Sequence, residues 1–161
     1  MISGLQQASG DVLLIQDADL EYNPNDYPLL LQPIINGECK VVYGSRLLNQ
    51  ENKKRYHPSF TLHSFGNKTL SLITSLLYFR KITDMETGYK VFTREVLQKM
   101  NLRSKRFDFE PEITAKIIKN RYHIREVPIT FNPRSFEEGK KITWKDGIKA
   151  LYYLIKYRFI D

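Results

Sequence analysis

The alternation of apolar and polar segments predicts strands that alternate with helices along the chain. Residues 11–16, DVLLIQ, form a predicted strand that is apolar on both faces, as in parallel sheets. Further strands are predicted over 40–43, KVVY, and over 126–131, EVPITF, while the polar stretches 47–58 and 132–141 are predicted to be loops. Helical periodicity marks five segments, at residues 24–35, 60–79, 93–100, 111–119 and 144–159. This alternation indicates an α/β layered fold.

Composition places the chain among soluble globular proteins. Its 161 residues, 42% of them hydrophobic, fit one domain over 1–161 with a sizeable buried core. The single cysteine, Cys39, excludes an internal disulfide and fits a reducing, cytoplasmic compartment. Residues 1–10 lack the pattern of a signal peptide, and the apolar stretch 59–79 carries polar interruptions that make it a poor transmembrane span.

The basic charge lies in the second part of the chain. Residues 1–93 carry 9 Lys or Arg and 9 Asp or Glu, whereas residues 94–161 carry 16 and 9, so the net charge of +7 belongs to the latter. Such an excess suits an anionic partner: nucleic acid, phosphate groups or an acidic membrane surface. We expect no nucleic-acid binding, because no zinc, helix-turn-helix or RNP-type pattern accompanies the charge.

Two aspartates, Asp17 and Asp19, follow the first predicted strand in LLIQDADLEYNP. Carboxylates this close repel each other unless a cation or a proton lies between them, and Mg²⁺ commonly takes one or two carboxylates together with substrate phosphates. A solvated turn explains the pair equally well. Ligands of open α/β sheets bind at the edge formed by the carboxyl ends of the strands. Arg46, which follows the second strand, would lie at this edge, or rim, together with the two aspartates. Such a rim suits a metal-bound diphosphate.

Two classes of enzyme carry an Asp-x-Asp pair after an apolar strand. Phosphatases of the haloacid dehalogenase type usually follow it with Thr or Val, where this chain has Leu20-Glu21. The blocks GDVLLIQDADLEYNPNDYPLLLQPI, VVYGSR, TDMETGYKVFTREVL, FDFEPEITAKI and EVPITFNPRSFEEGKKITWKDGIKAL instead resemble, in this order, glycosyltransferase family 2. The resemblance is to the branch of dolichyl- and polyprenyl-phosphate mannose and glucose synthases. It implies a GT-A fold, Rossmann-like, with a mostly parallel sheet flanked by helices.

The resemblance also implies an activity and its cofactor. The expected reaction transfers a hexose from a nucleoside diphosphate sugar to a polyprenyl phosphate or similar acceptor. Asp17 and Asp19 would hold Mg²⁺ or Mn²⁺, with Glu21 able to complete the metal shell. The cation would stabilise the departing diphosphate. In the matched Gly44-Ser45-Arg46 segment, Ser45 and Arg46 are expected to bind substrate, Arg46 by gripping a phosphate bidentately.

Five further site residues are carried over from the resemblance. Asp84 is expected near the acceptor, as a general base for a hydroxyl acceptor or as an orienting group if the acceptor is an already anionic phosphate. Gly88 is expected to permit close backbone approach, and Glu110 to line the pocket. Arg134 and Lys141 belong to a charged loop that is expected to close over the diphosphate, with Arg134 counted as catalytic.

The chain lacks one part of the family pattern. Relatives begin with a further half-domain that binds the nucleotide base, and residues 4–161 match only the C-terminal two-thirds of the catalytic domain. We therefore expect weak transferase activity, and association with a separate N-terminal half or with a second copy of the chain. A non-catalytic module that keeps the fold and binds an acidic partner is the alternative.

The last predicted helix is amphipathic and basic. One stripe of the helix is apolar, and basic residues lie elsewhere on it. The apolar residues are Ile148, Leu151, Tyr152, Ile155 and Phe159, and the basic ones are Lys145, Lys149, Lys156 and Arg158. Core packing with a solvated basic face and peripheral attachment to the cytoplasmic face of an acidic bilayer both fit this pattern.

Overall fold

A computed structural model describes residues 1–54, 58–104, 108–133 and 144–160 of the chain. These residues form a four-stranded sheet with the order β1-β3-β2-β4. The strands are β1 (Val12–Ile15), β2 (Val41–Ser45), β3 (Lys90–Thr93) and β4 (Ile124–Pro128). Strand β3 is antiparallel to both of its neighbours, and β2 is parallel to β4. Strands β1, β2 and β4 therefore share one direction.

Helices cover both faces of this sheet, and the predicted α/β class is confirmed. Short helices are α1 (Ile2–Gln7), α3 (Gln50–Lys54) and α5 (Arg94–Gln98). The longer ones are α2 (Tyr27–Ile35, after a 3₁₀ turn at Pro24–Asp26), α4 (Pro58–Tyr78), α6 (Phe109–Lys119) and α7 (Trp144–Phe159).

The alternation of side chains along the strands divides the core into two layers. Leu13, Tyr43 and Phe92 point to the face that packs on α4, α6 and α7. Val42 and Val91 point to the opposite face, where Leu30 and Ile34 of α2 cover them.

Two predictions about local structure are wrong. Strand β3 is absent from the predicted elements because it begins with a charged residue, Lys90, which is nevertheless fully buried. The predicted loop at 47–58 contains helix α3, whose Asn52 is buried and donates to the carbonyls of Arg46 and Ile129 at 2.9 Å each. The Asn52 side chain also accepts from the N–H of Phe131, so it ties this segment to the chain after β4.

Candidate active site

The strand order brings three segments to one edge of the sheet. Lys90 at the start of β3 stands opposite Ile15 of β1 and Tyr43 of β2. Because β3 runs opposite to its neighbours, the loop that precedes it, residues 82–89, arrives at the same edge as the loops that follow β1 and β2. The segments around Asp17 and Arg46 thus flank this loop.

The two predicted metal ligands lie at this edge in a strained turn. Asp17 and Asp19 are both half-buried. Asp19 Oδ1 accepts a hydrogen bond from the N–H of Glu21 at 3.1 Å, and the intervening Leu20 has a φ of 62° while its side chain is 90% exposed. A positive φ at a leucine is unfavourable, and such strain is commonly kept at functional sites.

The electrostatics of Asp17 suit a cation. Burial raises the pKa of the Asp17 carboxyl and the charge of Asp19 raises it further, while Lys90 and Arg46 act in the opposite direction. No group of three acidic, histidine or cysteine side chains among the described residues is placed to hold a metal ion. Glu21 is buried and its carbonyl accepts from the N–H of Asn132. The two carboxylates at the end of β1 are oxygen donors of the kind that a divalent cation takes together with substrate oxygens.

Gly88 packs directly on Asp17. A Cβ added at Gly88 would lie 2.4 Å from Asp17 Oδ2 and 2.9 Å from Tyr22 Cε2. The N–H of Gly88 donates to the Tyr22 hydroxyl at 2.7 Å, and the Tyr22 ring contacts those of Tyr89 and Phe131 at 4.8 and 5.2 Å between centroids. The loop backbone and an aromatic cluster thereby fix the position of the Asp17 carboxylate.

Arg46 is bound to Asp84 rather than pointing freely to the rim. Its Nε and Nη2 donate to the two carboxylate oxygens at 2.8 and 2.7 Å, and its backbone N–H donates to Oδ2 at 2.9 Å. Asn67 of α4 adds a bond to Oδ1 at 2.7 Å, and the guanidinium lies 5.1 Å from the centroid of the Phe131 ring. The guanidinium thus makes a bidentate contact with a protein carboxylate, and the expected contact of Arg46 with a phosphate stays a prediction.

The surroundings of Asp84 favour the orienting role over that of a general base, the two roles expected from the resemblance. Its burial opposes the charged form, but Arg46 and the hydrogen bonds from Arg46 and Asn67 outweigh this, so the pKa of Asp84 lies below its usual value. A fully buried carboxylate that already accepts from these donors has little tendency to take a proton. Asp84 is thus a positioning residue for Arg46.

Ser45, which is expected to bind substrate, lies in the protein interior. Ser45 is fully buried, and its hydroxyl is hydrogen-bonded to that of Thr83 at 2.7 Å. The side chain joins β2 to the 82–89 loop, since it points to the protein interior. Arg134 and Lys141, the other expected phosphate contacts, lie outside the described residues.

A second ion pair lies beside the first. Lys90, whose side chain has no exposed surface, pairs with Glu110 at the start of α6 and donates to the carbonyl of Thr87. Glu110 therefore lies close to this edge of the sheet through its contact with Lys90, and its expected place in the substrate pocket stays a prediction. Burial raises the pKa of Glu110, against the opposing effect of Lys90.

Three site residues in addition to Lys90 are absent from the sequence predictions. Glu126 of β4 accepts from the backbone N–H groups of Thr83 and Asp84 at 2.9–3.0 Å and so anchors the loop. Asn67 supports Asp84 from α4. Glu86 lies within the loop, and burial together with Glu110 raises its pKa to about 7. Lys90 and Glu86 lie inside the matched block that contains TDMETGYK, and Glu126 opens the matched block EVPITFNPRSFEEGKKITWKDGIKAL, so a signal that could have found these three was present. Asn67 had none.

Comparison with known proteins assigns the chain to a family. The profile described as Glycosyl transferase family 2 matches residues 1–100. A UDP-N-acetylglucosamine–dolichyl-phosphate N-acetylglucosaminyltransferase from Methanococcus voltae is 31% identical over 159 residues, which are 96% of this chain and 62% of the relative. A dolichol-phosphate mannosyltransferase from Pyrococcus furiosus is 31% identical over 160 residues, 98% of this chain and 44% of the relative. The chain thus spans less than two-thirds of the length of these relatives.

The fold agrees with this assignment. Glucosyl-3-phosphoglycerate synthase from Mycobacterium tuberculosis, solved with Mn²⁺, UDP-glucose and glycerol 3-phosphate, superposes with a TM-score of 0.64 at 16% identity. The match covers 98% of this chain and 53% of that enzyme. This likeness supports the partial GT-A architecture with a sheet between helical layers. The family profile, the two relatives and the architecture agree, and the chain belongs to glycosyl transferase family 2.

Proposed function

We propose that this chain provides the metal and acceptor side of a hexosyltransferase that moves a sugar from a nucleoside diphosphate to a polyprenyl phosphate. The carrying observation is the pairing of Asp17 with Asp19 at the end of β1, on the same edge as Lys90 and Arg46. Two carboxylates with cations behind them suit a diphosphate that arrives with its own divalent ion.

Asp17 and Asp19 are the residues that would hold Mg²⁺ or Mn²⁺. When bound, the ion would supply Lewis-acid stabilisation of the charge that develops on the leaving diphosphate. The close contact of Gly88 keeps the Asp17 carboxylate from turning away from the rim, because the loop backbone and Tyr22 occupy that space. The protein would thus contribute by holding the Asp17 carboxylate in position before the cation binds.

No strong general base is assigned to this reaction. The oxygen of a phosphate acceptor is anionic at neutral pH, so attack on the sugar needs no proton removal. Asp84 instead holds Arg46, and the pair keeps the 82–89 loop against the strand ends. The phosphate acceptor is supported by the names of the two relatives, both of which act on dolichyl or dolichol phosphate.

Exposed apolar stripes on α4 and α7 support a lipid-linked acceptor. On α4 the exposed residues Phe65, Leu72 and Leu76 share one face, which begins within one turn of Asn67, and the exposed Phe79 directly follows the helix. On α7 the exposed residues are Ile148, Tyr152, Ile155 and Phe159. Lys68, Lys149 and Lys156 lie near these stripes. No helix within the described residues has the length and apolar character needed to cross a membrane.

We assign these stripes to peripheral contact with an acidic bilayer. The two helices pack side by side, since the Tyr78 hydroxyl donates to the carbonyl of Leu154 and Arg158 Nε to that of Leu77. Apolar side chains beside lysines match the chemistry of an anionic lipid surface. Contact there would bring a membrane-embedded acceptor to the side of the protein where α4 reaches Asp84.

Binding of nucleotide tests the metal site directly. Isothermal titration of the chain with UDP and with GDP, each with and without Mn²⁺, is expected to show binding that depends on the metal. Asp17→Asn and Asp19→Asn should remove that dependence, whereas Asp11→Asn, an exposed aspartate at the other end of β1, should not. If the unchanged chain binds neither nucleotide in a metal-dependent manner, the proposal is wrong and the non-catalytic interpretation is favoured.

Vesicle co-sedimentation tests the membrane contact. Binding to phosphatidylglycerol-containing vesicles is expected to exceed binding to pure phosphatidylcholine vesicles. The double change Leu72→Gln and Leu76→Gln should weaken it, while Ile35→Gln, an equally exposed position on α2 at the opposite face of the sheet, serves as the matched control. Equal binding of all three proteins would contradict the assignment.

A further inference from the structure

The 82–89 loop is anchored by hydrogen bonds along most of its length. The N–H groups of Thr83 and Asp84 donate to Glu126, and the N–H of Met85 donates to Ser71 Oγ at 3.0 Å. Thr87 Oγ1 donates to the carbonyl of Gly44 at 2.5 Å, and the N–H of Gly88 donates to Tyr22. These bonds fix the direction in which the side chain of Glu86 leaves the loop.

Glu86 carries a buried oxygen that this network does not satisfy. Its Oε1 has no hydrogen-bond partner among the described residues, although the side chain as a whole is only partly buried. An unsatisfied buried acceptor costs about 1–3 kcal/mol, and such groups in folded proteins commonly await a ligand or a water. The rest of the side chain is partly exposed, so Glu86 lies at the border of the site and not deep in the core.

The charges that face Glu86 are already balanced by others. Glu110 and Asp84 are the nearby carboxylates, and Lys90 and Arg46 the nearby cations. Lys90 is paired with Glu110, and Arg46 with Asp84. The cations are therefore not free to satisfy Glu86, and the carboxylates around it would repel a phosphate. Neutral hydroxyl groups, which donate hydrogen bonds, fit this position best.

We propose that Glu86 accepts a hydrogen bond from a hydroxyl of the transferred sugar and thereby determines which sugar the site accepts. The inference rests on the proposed function, because it needs a sugar diphosphate at Asp17 and Asp19. Glu86 is two residues from Gly88, whose backbone lies against Asp17, so the sugar next to the bound diphosphate comes within reach of this loop. A buried acceptor discriminates strongly, because a sugar without a correctly placed hydroxyl leaves it unpaired.

The test compares the affinity for a sugar nucleotide with that for the nucleotide alone. Isothermal titration with Mn²⁺ uses UDP against UDP-N-acetylglucosamine and UDP-glucose, and GDP against GDP-mannose. Glu86→Ala is expected to weaken binding of the preferred sugar nucleotide about 10-fold while the affinity for its parent nucleotide changes less than about 2-fold. Glu86→Gln, which keeps one acceptor oxygen, should retain part of the preference and alter the order of the sugars.

Glu95→Ala is the matched control. Glu95 is an exposed carboxylate on α5, at the opposite end of β3, and should leave every affinity unchanged. An unchanged ratio of sugar-nucleotide to nucleotide affinity in Glu86→Ala overturns this inference alone. Equal loss of nucleotide and sugar-nucleotide binding also overturns it, since that result indicates a structural role. Absence of metal-dependent nucleotide binding in the unchanged chain overturns it together with the proposed function.

Discussion

Replacing Asp84 by asparagine is expected to destabilise the fold by about 3–4 kcal/mol. The change keeps the shape of the side chain but leaves the Arg46 guanidinium without a counter-charge, in a place where Arg46 is only 16% and Asp84 0% exposed. At 2.7 Å and an effective dielectric constant of 20, the gross attraction of the pair is roughly 6 kcal/mol. Desolvation of both groups offsets part of this, and loss of one partner of a buried pair typically costs about 3–5 kcal/mol.

A double-mutant cycle separates the pair from its surroundings. Urea unfolding would be followed for Asp84→Asn, Arg46→Met and the double variant. The double variant has no unpaired buried charge. Its loss of unfolding free energy should therefore be smaller than the sum of the losses in the two single variants, by about 2 kcal/mol or more. Strict additivity would refute the reasoning, since it would mean that the two side chains do not stabilise each other.

The pH dependence gives an independent check of the same pair. The pKa of Asp84 is depressed below its usual value of 3.8, so the folded state binds the proton less readily than the unfolded chain. Its contribution is therefore fully present above about pH 4 and is lost as the pH falls through the folded-state pKa. The stability gap between the unchanged chain and Asp84→Asn should be constant from pH 7 to 5 and shrink only in stronger acid. A gap already closed at pH 5 would contradict this account.

Three further changes test other parts of the site. Gly88→Ala should displace the Asp17 carboxylate and weaken Mn²⁺-dependent nucleotide binding in titrations, whereas Gly66→Ala, with open space around its Cβ, should not; unchanged binding in both would contradict the contact. The pKa of Glu86 is raised from 4.5 to about 7, so the folded state loses stability as the pH rises through 7 and this carboxyl ionises. In thermal unfolding, Glu86→Gln should therefore be more stable than the unchanged chain at pH 8, by on the order of 2 kcal/mol. It should show no gain over the unchanged chain at pH 4. Asn52→Ala removes hydrogen bonds to three backbone groups, of which the carbonyl of Ile129 keeps its bond from Asn49, and should cost about 2–4 kcal/mol in urea unfolding. A loss below about 1 kcal/mol would argue against this anchor.

Much of the fold could be predicted from the sequence because hydrophobic periodicity records burial directly. Strands β1 and β2 are found within two residues of their predicted ends, and helix α7 at its predicted bounds. Strand β3 escaped prediction because burial of Lys90 depends on its partner Glu110, twenty residues further on. Helix α3 escaped for a similar reason, since the buried Asn52 looks like a loop residue until its backbone partners are known. Pattern alone does not reveal a polar residue that is buried by pairing.

The same limit applies to the site. The sequence singled out Arg46 and Asp84, yet their 38-residue separation hid the fact that each is the partner of the other. Considered alone, an arginine at the end of a strand suggests a phosphate-binding residue, and an aspartate near an acceptor suggests a general base. Paired, they satisfy each other and take up a positioning role. The proposed ligand contacts therefore fall to other residues, namely Asp17 and Asp19 for a cation and Glu86 for a hydroxyl donor.

The reversed direction of β3 explains why one short loop serves all of these groups. In a sheet of parallel strands alone, the loop before a strand would lie at the edge opposite to the loops that follow its neighbours. Because β3 runs against β1 and β2, residues 82–89 enter at the edge where Asp17 and Arg46 lie. Seven consecutive residues, 84–90, can then make three contacts at this edge. Asp84 binds Arg46, Gly88 packs on Asp17, and Lys90 pairs with Glu110. Since the loop also carries Glu86, a shift that displaces Gly88 from Asp17 would move the proposed sugar contact with it. On the roles proposed above, the position of the metal ion and the choice of sugar would therefore be coupled through this segment.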